Sequence, residues 1–581
     1  MLGRMRRLFL KRFLPVLFWF CLLLAALYVY RAIMPRVQGE YLVIDGVKKE
    51  LSMPLRILAG GSHLTFAIAL HTDTYFPHRY VFSPNACMGR VIVNGNAYEM
   101  PPCSETTTRA LELLSLHPGK NDLIVQIVQD QPQYLHLFHI QPSARDPLIL
   151  LSWALLLFSI VGLYGVLMRF LPKWSMGMHG MFLGGILLRA LYTLHTHFSE
   201  RGPDWFGHLE YIRYVLTHGT MPPWDMGWEA YQPPLYYFGS ALWVKIADLF
   251  LPLHEATSTL QILSFLLSIL TLFFALQVGR QLFLRNRDLL LYGSIVTFFP
   301  GFVFTASRIN NDTLATLAMF SVLWLLLRFF ENGSRKYFLL ACVVTALGIL
   351  TKMNAALLIP LVGSVLLLQQ KIHVREKIEL GLQGIVILIF LAGWYVLLRF
   401  FFEGTELVGN SDYLHETIRL PNSFTHILAF RPWKILLDPM IQTLGMTMKA
   451  NAFLEYYFRS ALGGYPMPYS SFSILVPIYL LGFVMIPLGI GGVIKYTRDR
   501  STLPILLTLI IFLSLHVVFR LSYPFTSSQD YRYTPLLLIP FAYYVIRGAH
   551  HAGHLEKFAL GLLWLFVGFS IALPVSFMFA Y

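Results

Sequence analysis

The sequence predicts a polytopic α-helical membrane protein of about thirteen transmembrane helices, with an N-terminal extracytoplasmic β-sandwich. Three observations carry that prediction. Hydrophobic residues make up 56% of the 581 residues and charged residues only 13%, against about 25% charge in a soluble domain. Mean hydropathy is +0.59. The apolar residues gather into runs near the ~20 residues that cross a bilayer, and one segment alone, about 35–145, is polar with short alternating apolar stretches. A soluble enzyme and a disordered chain are both excluded by this composition.

The net charge is +14. The Lys and Arg residues lie in short loops between apolar runs, as the positive-inside rule requires, and no basic-aromatic nucleic-acid module accompanies them. The partners expected are membrane lipids, not nucleic acid. Four cysteines are too few for a disulfide scaffold. Cys21 and Cys342 fall inside apolar spans as packing residues. Cys87 and Cys103 share the polar segment and are a disulfide candidate if that segment faces an oxidising compartment.

The first apolar run, Phe13 to Leu27, follows Arg4, Arg6, Arg7, Lys11 and Arg12 and lacks a small-residue cleavage site, so it reads as an uncleaved anchor (1–34) with a cytoplasmic N-terminus. Further spans are expected near 147–169, 176–195, 258–281, 288–306, 313–330, 337–351, 354–370, 378–400, 473–494, 503–520, 533–547 and 558–579. Every second connection is basic, as in Arg280, Arg285 and Arg287 or Lys495, Arg498 and Arg500. This threading places the C-terminus outside, together with 35–145, 196–256, 307–312, 401–472 and 520–532. The protein is expected in a bacterial inner membrane.

Within 35–145, the runs Tyr41–Ile44, Leu64–Ile68, Arg90–Val93 and Asp122–Ile127 alternate with turn signals at Gly60-Gly61, Asn94-Gly95 and Pro118-Gly119-Lys120-Asn121. Short strands so spaced predict the β-sandwich. The string VIVNGNAYEM…LHPGKNDLIVQIVQD resembles the jelly-roll modules appended to carbohydrate-active enzymes. The likeness leaves open sugar binding or a docking role without a ligand.

After the third span comes HFSERGPDWFGHLEYIRYVLTHGTMPPWDMGWEAYQPPLYYFGSALW. His208 to Leu216 has helical spacing, suited to an amphipathic helix on the membrane. Pro222-Pro223 and Pro233-Pro234 interrupt the chain, and a second short helix is expected over 235–249. Asp204 stands at a span mouth, where a carboxylate near hydrocarbon is costly.

The stretch PDWFGHLEYIRYV…YQPPLYY resembles the first outer loop of GT-C glycosyltransferases, specifically the protein O-mannosyltransferases and the aminoarabinose transferases of lipid A. FPGFVFTASRINNDTLATLAMF resembles their second outer loop, LGILTKMNAALLIP their following turn with a Thr-Lys pair, and SQDYRYTPLLLIP a late loop with an Arg before an apolar span. The four matches run in order over about 175–550, so 146–581 is expected to be a GT-C-like domain. Several relatives carry Asp-Glu at the first-loop position, where this chain has Asp204-Trp205 and Glu210 only later.

The resemblance implies an inverting transfer of a sugar from a polyprenyl-phosphate donor to a hydroxyl of a glycan, lipid or protein acceptor outside the cytoplasm. Asp204 is the candidate base, with a helix cap as its other reading. Asp312, also a candidate N-cap, is the second catalytic candidate. Arg308, Lys352, Arg520 and Arg532 are candidates for the lipid phosphate, their alternative being snorkelling to the interface. His208, Glu210, Tyr231, Gln232 and Asn311 are candidate substrate contacts. His195 and His197 read as interface residues, and the HHAGH tract at 550–554 as solvated. Asp204, Asp312 and a His are compatible with a divalent cation, but no ligand spacing assigns one. In the 401–472 loop, Tyr413, Arg431-Pro432-Trp433-Lys434 and EYYFRSALGGYPMP could cover a donor or rest on the membrane. Two other functions stay open: a non-catalytic glycan-binding subunit of an envelope-polysaccharide assembly, and a lipid-linked-sugar transporter.

Overall fold

The computed structural model describes residues 14–27, 36–44, 47–50, 63–72, 80–83, 88–99, 111–113, 119–128, 139–142, 147–196, 198, 204–251, 253–404, 419–441, 452–463, 471–497 and 499–578. Two compact units divide the chain. One is Met1–His179 with Pro466–Ser471 and Val575–Tyr581; the other is Gly180–Tyr465 with Phe472–Pro574.

Among the described residues the first unit holds two antiparallel sheets and two apolar helices. Strands β1 (Arg36–Ile44), β2 (Val47–Glu50), β3 (His63–Thr72), β5 (Met88–Val93), β6 (Asn96–Glu99) and β8 (Gly119–Val128) form a sheet in the order β2-β1-β3-β8-β5-β6. Strands β4 (Tyr80–Ser83), β7 (Leu111–Leu113) and β9 (His139–Pro142) form a second, ordered β7-β4-β9. All four apolar runs marked in the sequence fall in strands of the larger sheet. The β5–β6 hairpin turns at Asn94 (φ 49°) and Gly95 (φ 85°), the left-handed pair that two-residue hairpins need. One turn signal is corrected: Gly119, Lys120 and Asn121 already pair with Thr72, His71 and Leu70. Helix α1 (Leu14–Leu27) and helix α2 (Pro147–Leu167) are the apolar helices of this unit. Cys87, Cys103 and the Gly60-Gly61 turn lie outside the described residues.

The second unit is helical. Helix α3 (Met176–His195) enters it at Gly180. The helices that follow are α4 (Trp205–His218), α5 (Leu235–Asp248), α6 (Leu260–Leu282), α7 (Asn286–Phe298), α8 (Asp312–Asn332), α9 (Arg335–Ile349), α10 (Leu358–Leu368) and α11 (Val374–Phe402). Beyond them come α12 (Phe453–Leu462), α13 (Phe472–Tyr496), α14 (Leu503–Ser522), α15 (Leu538–His550) and α16 (Glu556–Met578).

The chain is an integral membrane protein, but the span count differs from the sequence reading. Among the described residues seven helices are long and apolar enough to cross a bilayer, or eight if α7 and the Pro300–Ser307 turns are one bent span. The 288–306 run bends by 56° where Pro300 interrupts it. The 337–351 run is a 15-residue helix, 354–370 begins as a 3₁₀ turn over Met353–Leu357, and 533–547 yields only the 13 residues of α15 after 3₁₀ turns. Charge and Pro shorten these elements, and the interruptions are where the polar residues described below collect.

Two features of this unit fix the loops around those residues. Helices α13 and α15 cross backbone to backbone: a Cβ on Gly492 would strike Tyr544 O and one on Gly548 would strike Leu488 O, the small-residue contact of membrane helices. This anchors α15 and the turn before it, which carries Arg532. The C-terminal end of α11 is wound as π-helix over Ile389–Gly393 and Leu397–Phe402, which turns the buried Arg399 onto the 219–234 loop. Its Nη2 donates to Pro222 O at 3.0 Å and Ala230 O at 3.2 Å, while Nη1 meets Glu403 at 2.6 Å.

Candidate active site

Four interruptions of the helical unit bring charged side chains together. The head of α4 brings Asp204. The turn before α8 brings Arg308, Asn310, Asn311 and Asp312. The break between α9 and the Met353 turn brings Lys352. The 3₁₀ turns before α15 bring Asp530, Arg532 and Tyr533.

Asp204 has φ +62°, a left-handed conformation uncommon outside glycine. It stands at the N-cap of α4, yet its side chain makes no capping bond. The carboxylate instead accepts from Arg532 Nη2 at 3.1 Å and is about a quarter exposed. Asp312 is buried and begins α8, again without capping it. Its Oδ1 is 2.6 Å from Lys352 Nζ; its Oδ2 accepts from Asn310 Nδ2 at 3.1 Å and lies 3.9 Å from Arg532 Nη1. The other reading of both aspartates, as helix caps, is therefore not what their side chains do.

Arg532 is the hub. Besides the two aspartates it faces Asp530, whose Oδ2 is 3.8 Å from Nε and whose Oδ1 accepts from the Arg532 backbone N–H at 3.0 Å. Burial opposes the charge of Arg532, and Tyr533 and the three carboxylates overcome it and raise its pKa well above the ordinary value. At Lys352 burial likewise opposes the charge, and Asp312 prevails, leaving the pKa raised. The Tyr533 ring lies under both cations, 5.1 Å from Lys352 Nζ and 5.3 Å from Arg532 Cζ. A small cavity opens beside this cluster, lined by Arg308, Asp312, Thr316, Ser460, Asp530 and Arg532 among others.

A second, more apolar group adjoins it. His208 lies one helical turn after Asp204 on the same face of α4. It is buried, its Nδ1 is 2.9 Å from Tyr237 OH, and its Nε2 is 4.0 Å from Glu229 Oε1. Burial lowers the His208 pKa to about 3, so the ring is neutral. Asn311 donates to Gln232 Oε1 and to Thr351 O, both at 3.1 Å. Gln232 donates to Tyr231 OH at 2.8 Å, and Tyr395 OH donates to Tyr231 O.

The structure thus assembles Asp204, Asp312, His208, Tyr231, Gln232, Arg308, Asn311, Lys352 and Arg532. Two candidates fall elsewhere. Glu210, two residues after His208, turns to the opposite side of α4, where it is exposed beside Arg213 and the Gly227 backbone. Arg520 is buried but committed to chain: it donates to Gln529 Oε1 at 3.3 Å, Asn422 Oδ1 at 2.9 Å and Pro421 O at 3.1 Å, tying two loop segments together. His195 is buried, not at a surface; His197 and Tyr413 lie outside the described residues. In the HHAGH tract, His550 is tied to Asp288 and Glu556 rather than solvated. Arg431 pairs with the buried Glu455 at 2.6 Å, while Trp433 is exposed.

Glu229, Asp530, Asn310 and Arg399 join or support the site without having been singled out from the sequence. A carboxylate inside a Trp- and Tyr-rich loop was the available signal for Glu229, and its position two residues before Arg532 the signal for Asp530.

A divalent cation does not fit the donor set Asp204, Asp312 and His208. Both carboxylates are already neutralised by Arg532 and Lys352, and His208 is directed to Tyr237 and Glu229. Among the described residues no group of three His, Cys, Asp or Glu side chains is arranged to hold a metal ion.

Residues 232–396, which include Asn311, Asp312 and Lys352, match the family described as dolichyl-phosphate-mannose-protein mannosyltransferase. Among solved structures the chain is similar to ArnT from Cupriavidus metallidurans in the apo state (16% identity, 70% of this chain and 78% of that one, TM-score 0.34). It is also similar to that protein bound to undecaprenyl phosphate (13%, 70% and 78%, 0.35), and to arabinosyltransferase EmbB from Mycobacterium smegmatis (12%, 98% and 63%, 0.33). No curated protein matches the sequence. The likeness to a membrane glycosyltransferase family rests on residues 232–396.

Proposed function

We propose that the protein moves a sugar from a polyprenyl-phosphate donor to an acceptor hydroxyl at the extracytoplasmic face, with inversion and with Asp204 as general base. The observation that carries this reading is the Asp204–Arg532–Asp312–Lys352 network: one carboxylate with access to solvent, set against two buried cations. Lys352 and Arg532, with Arg308 at the cavity wall, offer the charge and the planar fork that a lipid phosphate needs.

In the step itself, the acceptor oxygen attacks the anomeric carbon on the face opposite the phosphate. Its proton passes to a carboxylate oxygen of Asp204. The bond from the anomeric carbon to the phosphate oxygen breaks, and the phosphate keeps the electron pair. A positioned base of this kind contributes about 10²–10⁴ in rate. Arg532 gives the site an order of events: a phosphate that draws Arg532 toward itself loosens its hold on Asp204, so the base is freed as the donor arrives. Asp312 holds Lys352 and Arg532 in place and does not act on the proton. The two N-terminal sheets are proposed as the layers of one extracytoplasmic sandwich, and the membrane as a bacterial inner membrane with the N-terminus in the cytoplasm.

The test is a transfer assay with purified protein in nanodiscs, offered a panel of polyprenyl-phosphate sugars with glycan, lipid and peptide acceptors. Donor consumption that needs Asp204 supports the reading. Lipid-linked sugar carried across the bilayer without transfer, or glycan binding without turnover of any donor, would replace it.

A further inference from the structure

Arg532, the hub of the charged cluster, sits on a weak support. The segment that carries it is a run of 3₁₀ turns, Thr526–Gln529 and then Tyr531–Tyr533. Turns this short have poor internal hydrogen bonding, so their geometry depends on what grips them from outside.

One side chain grips the segment at both ends. His516 lies on the apolar helix α14 and is 1% exposed. Its Nδ1 is 2.8 Å from Thr534 Oγ1, and its Nε2 is 3.0 Å from Ser528 O. A carbonyl oxygen can only accept, so Nε2 carries the proton and Nδ1 accepts from the Thr534 hydroxyl. Both ring nitrogens are thus spent on the turn, and between the two contacts lie Asp530, Arg532 and Tyr533. The ring itself is boxed in edge-on by Phe453 at 5.0 Å, Tyr457 at 5.5 Å and Tyr533 at 6.2 Å between centroids. Other ties reach the segment at single points: Tyr531 N–H donates to Ser460 Oγ at 2.9 Å, and Asn354 Nδ2 to Tyr533 O at 3.0 Å. Those ties dock the turn on its surroundings, whereas His516 fixes its two ends against each other.

A histidine inside a membrane helix is costly and points to a function. The turn has one that needs precision, since Arg532 Nη2 donates to Asp204 Oδ2 at 3.1 Å while Nη1 stands 3.9 Å from Asp312 Oδ2. Displacing Arg532 by ~1 Å would break the first contact, and errors of that size cost about 10² in rate. Resting on the lipid-phosphate-sugar reading above, we propose that His516 is a positioning residue for the transfer: by bridging Ser528 and Thr534 it sets the Arg532 guanidinium against Asp204 and toward the donor phosphate. It acts through Arg532, not on the substrate.

The experiment uses the full chain in nanodiscs. Single-turnover transfer is measured with the panel of polyprenyl-phosphate sugars, and affinity with a polyprenyl phosphate that carries no sugar. The variants are His516→Leu, Thr534→Val and Thr534→Ser, with Thr534→Val also combined with Arg532→Lys; thermal unfolding is followed for each. Thr534→Val keeps the side-chain shape and loses the hydroxyl, while Thr534→Ser keeps the hydroxyl. Transfer should fall about ten-fold in Thr534→Val and about 10² in His516→Leu, and stay within about three-fold of the wild type in Thr534→Ser. Affinity for the lipid phosphate should fall in the same order. On the Arg532→Lys background, Thr534→Val should change rate and affinity by less than about two-fold, a masking that a role in folding alone would not produce. If His516→Leu folds poorly, the two Thr534 variants carry the comparison. A folded His516→Leu protein with wild-type transfer and affinity, or a Thr534→Val loss of equal size with and without Arg532→Lys, overturns the inference and leaves the donor reading standing. A wild type that transfers from no donor of the panel overturns both.

Discussion

Arg532 donates to Asp204 Oδ2 at 3.1 Å across 328 positions of sequence. The contact closes the site, because the head of α4 and the turn before α15 meet only through folding of the whole helical unit. It also gives Asp204 its character. The residue takes a left-handed backbone conformation, of the kind that collects at functional sites, and spends its side chain on a cation instead of on its own helix.

Asp204→Asn is the direct test of the base. Asn tolerates a left-handed conformation, no capping bond is there to lose, and its amide oxygen can still accept from Arg532, so thermal unfolding in detergent should fall only slightly. Donor binding should persist. Single-turnover transfer should fall by about 10²–10⁴. Turnover equal to the wild type would remove Asp204 from the chemistry.

Lys352 and Asp312 make a buried pair at 2.6 Å. Lys352→Met strands the Asp312 charge and should cost about 3–5 kcal/mol in stability. Adding Asp312→Asn removes the stranded charge, so the double variant should regain most of that loss while transfer stays impaired. Chemical unfolding followed by Trp fluorescence measures the first effect, and the nanodisc assay the second. A double variant no more stable than Lys352→Met would show that the pair is not what couples these residues.

Much of this site was legible as sequence because charge is scarce in a chain this apolar. Asp312 and Lys352 stand out against Leu- and Ala-rich surroundings, and each interrupts a run that would otherwise continue. Glu210 and Arg520 were marked by the same logic and went elsewhere. Helix phase decides Glu210: two residues from His208 is the wrong face. Arg520 ends in contacts with residues 421, 422 and 529, and no local pattern encodes those. Glu229 was hidden because the slot that buries it is the missing side chain of Gly207. The span count failed for a related reason: hydropathy registers apolar length, while the bend at Pro300 and the 3₁₀ turns before α10 and α15 shorten helices without changing composition much.

His208 and Glu229 should give opposite pH dependences of stability. His208 falls from its ordinary 6.5 to about 3 on folding, through burial; the unfolded chain takes up that proton first, so stability falls as pH drops below about 6.5. Glu229 rises from 4.5 to about 8, through burial and then Asp204; the unfolded chain releases that proton first, so stability falls as pH rises from about 4.5 to 8. Between about 4.5 and 6.5 the two slopes cancel. Above 6.5 only Glu229 acts, with a decline of up to about 1.4 kcal/mol per pH unit. Glu229→Gln should abolish that decline and expose a loss below about pH 6.5, and His208→Gln should expose the Glu229 decline across the whole window. Unfolding midpoints at several pH values decide it; parallel profiles for the two variants would contradict the assignment.

The last prediction concerns a tie away from the site. His550, in the last turn of α15, is 2.8 Å from Asp288 Oδ1 through Nε2 and 2.8 Å from Glu556 Oε1 through Nδ1. Asp288 lies in the first turn of α7 and Glu556 in the first turn of α16, so one imidazole joins three helix ends, each carboxylate sitting where a helix N-terminus favours negative charge. Beside it, Arg547 lies within 5.4 Å of the rings of Phe283, Tyr496 and Tyr543. Asp288 is buried, so Asp288→Ala should remove a charge-assisted bond worth about 1.5–3 kcal/mol. Glu556 is much more exposed, so Glu556→Gln should change little. Both variants should keep donor affinity, because neither residue is among those that form the charged cluster. Unfolding midpoints that fall equally for the two variants would assign the tie to Glu556 as much as to Asp288, and a loss of donor affinity at unchanged stability would tie this helix junction to the site itself.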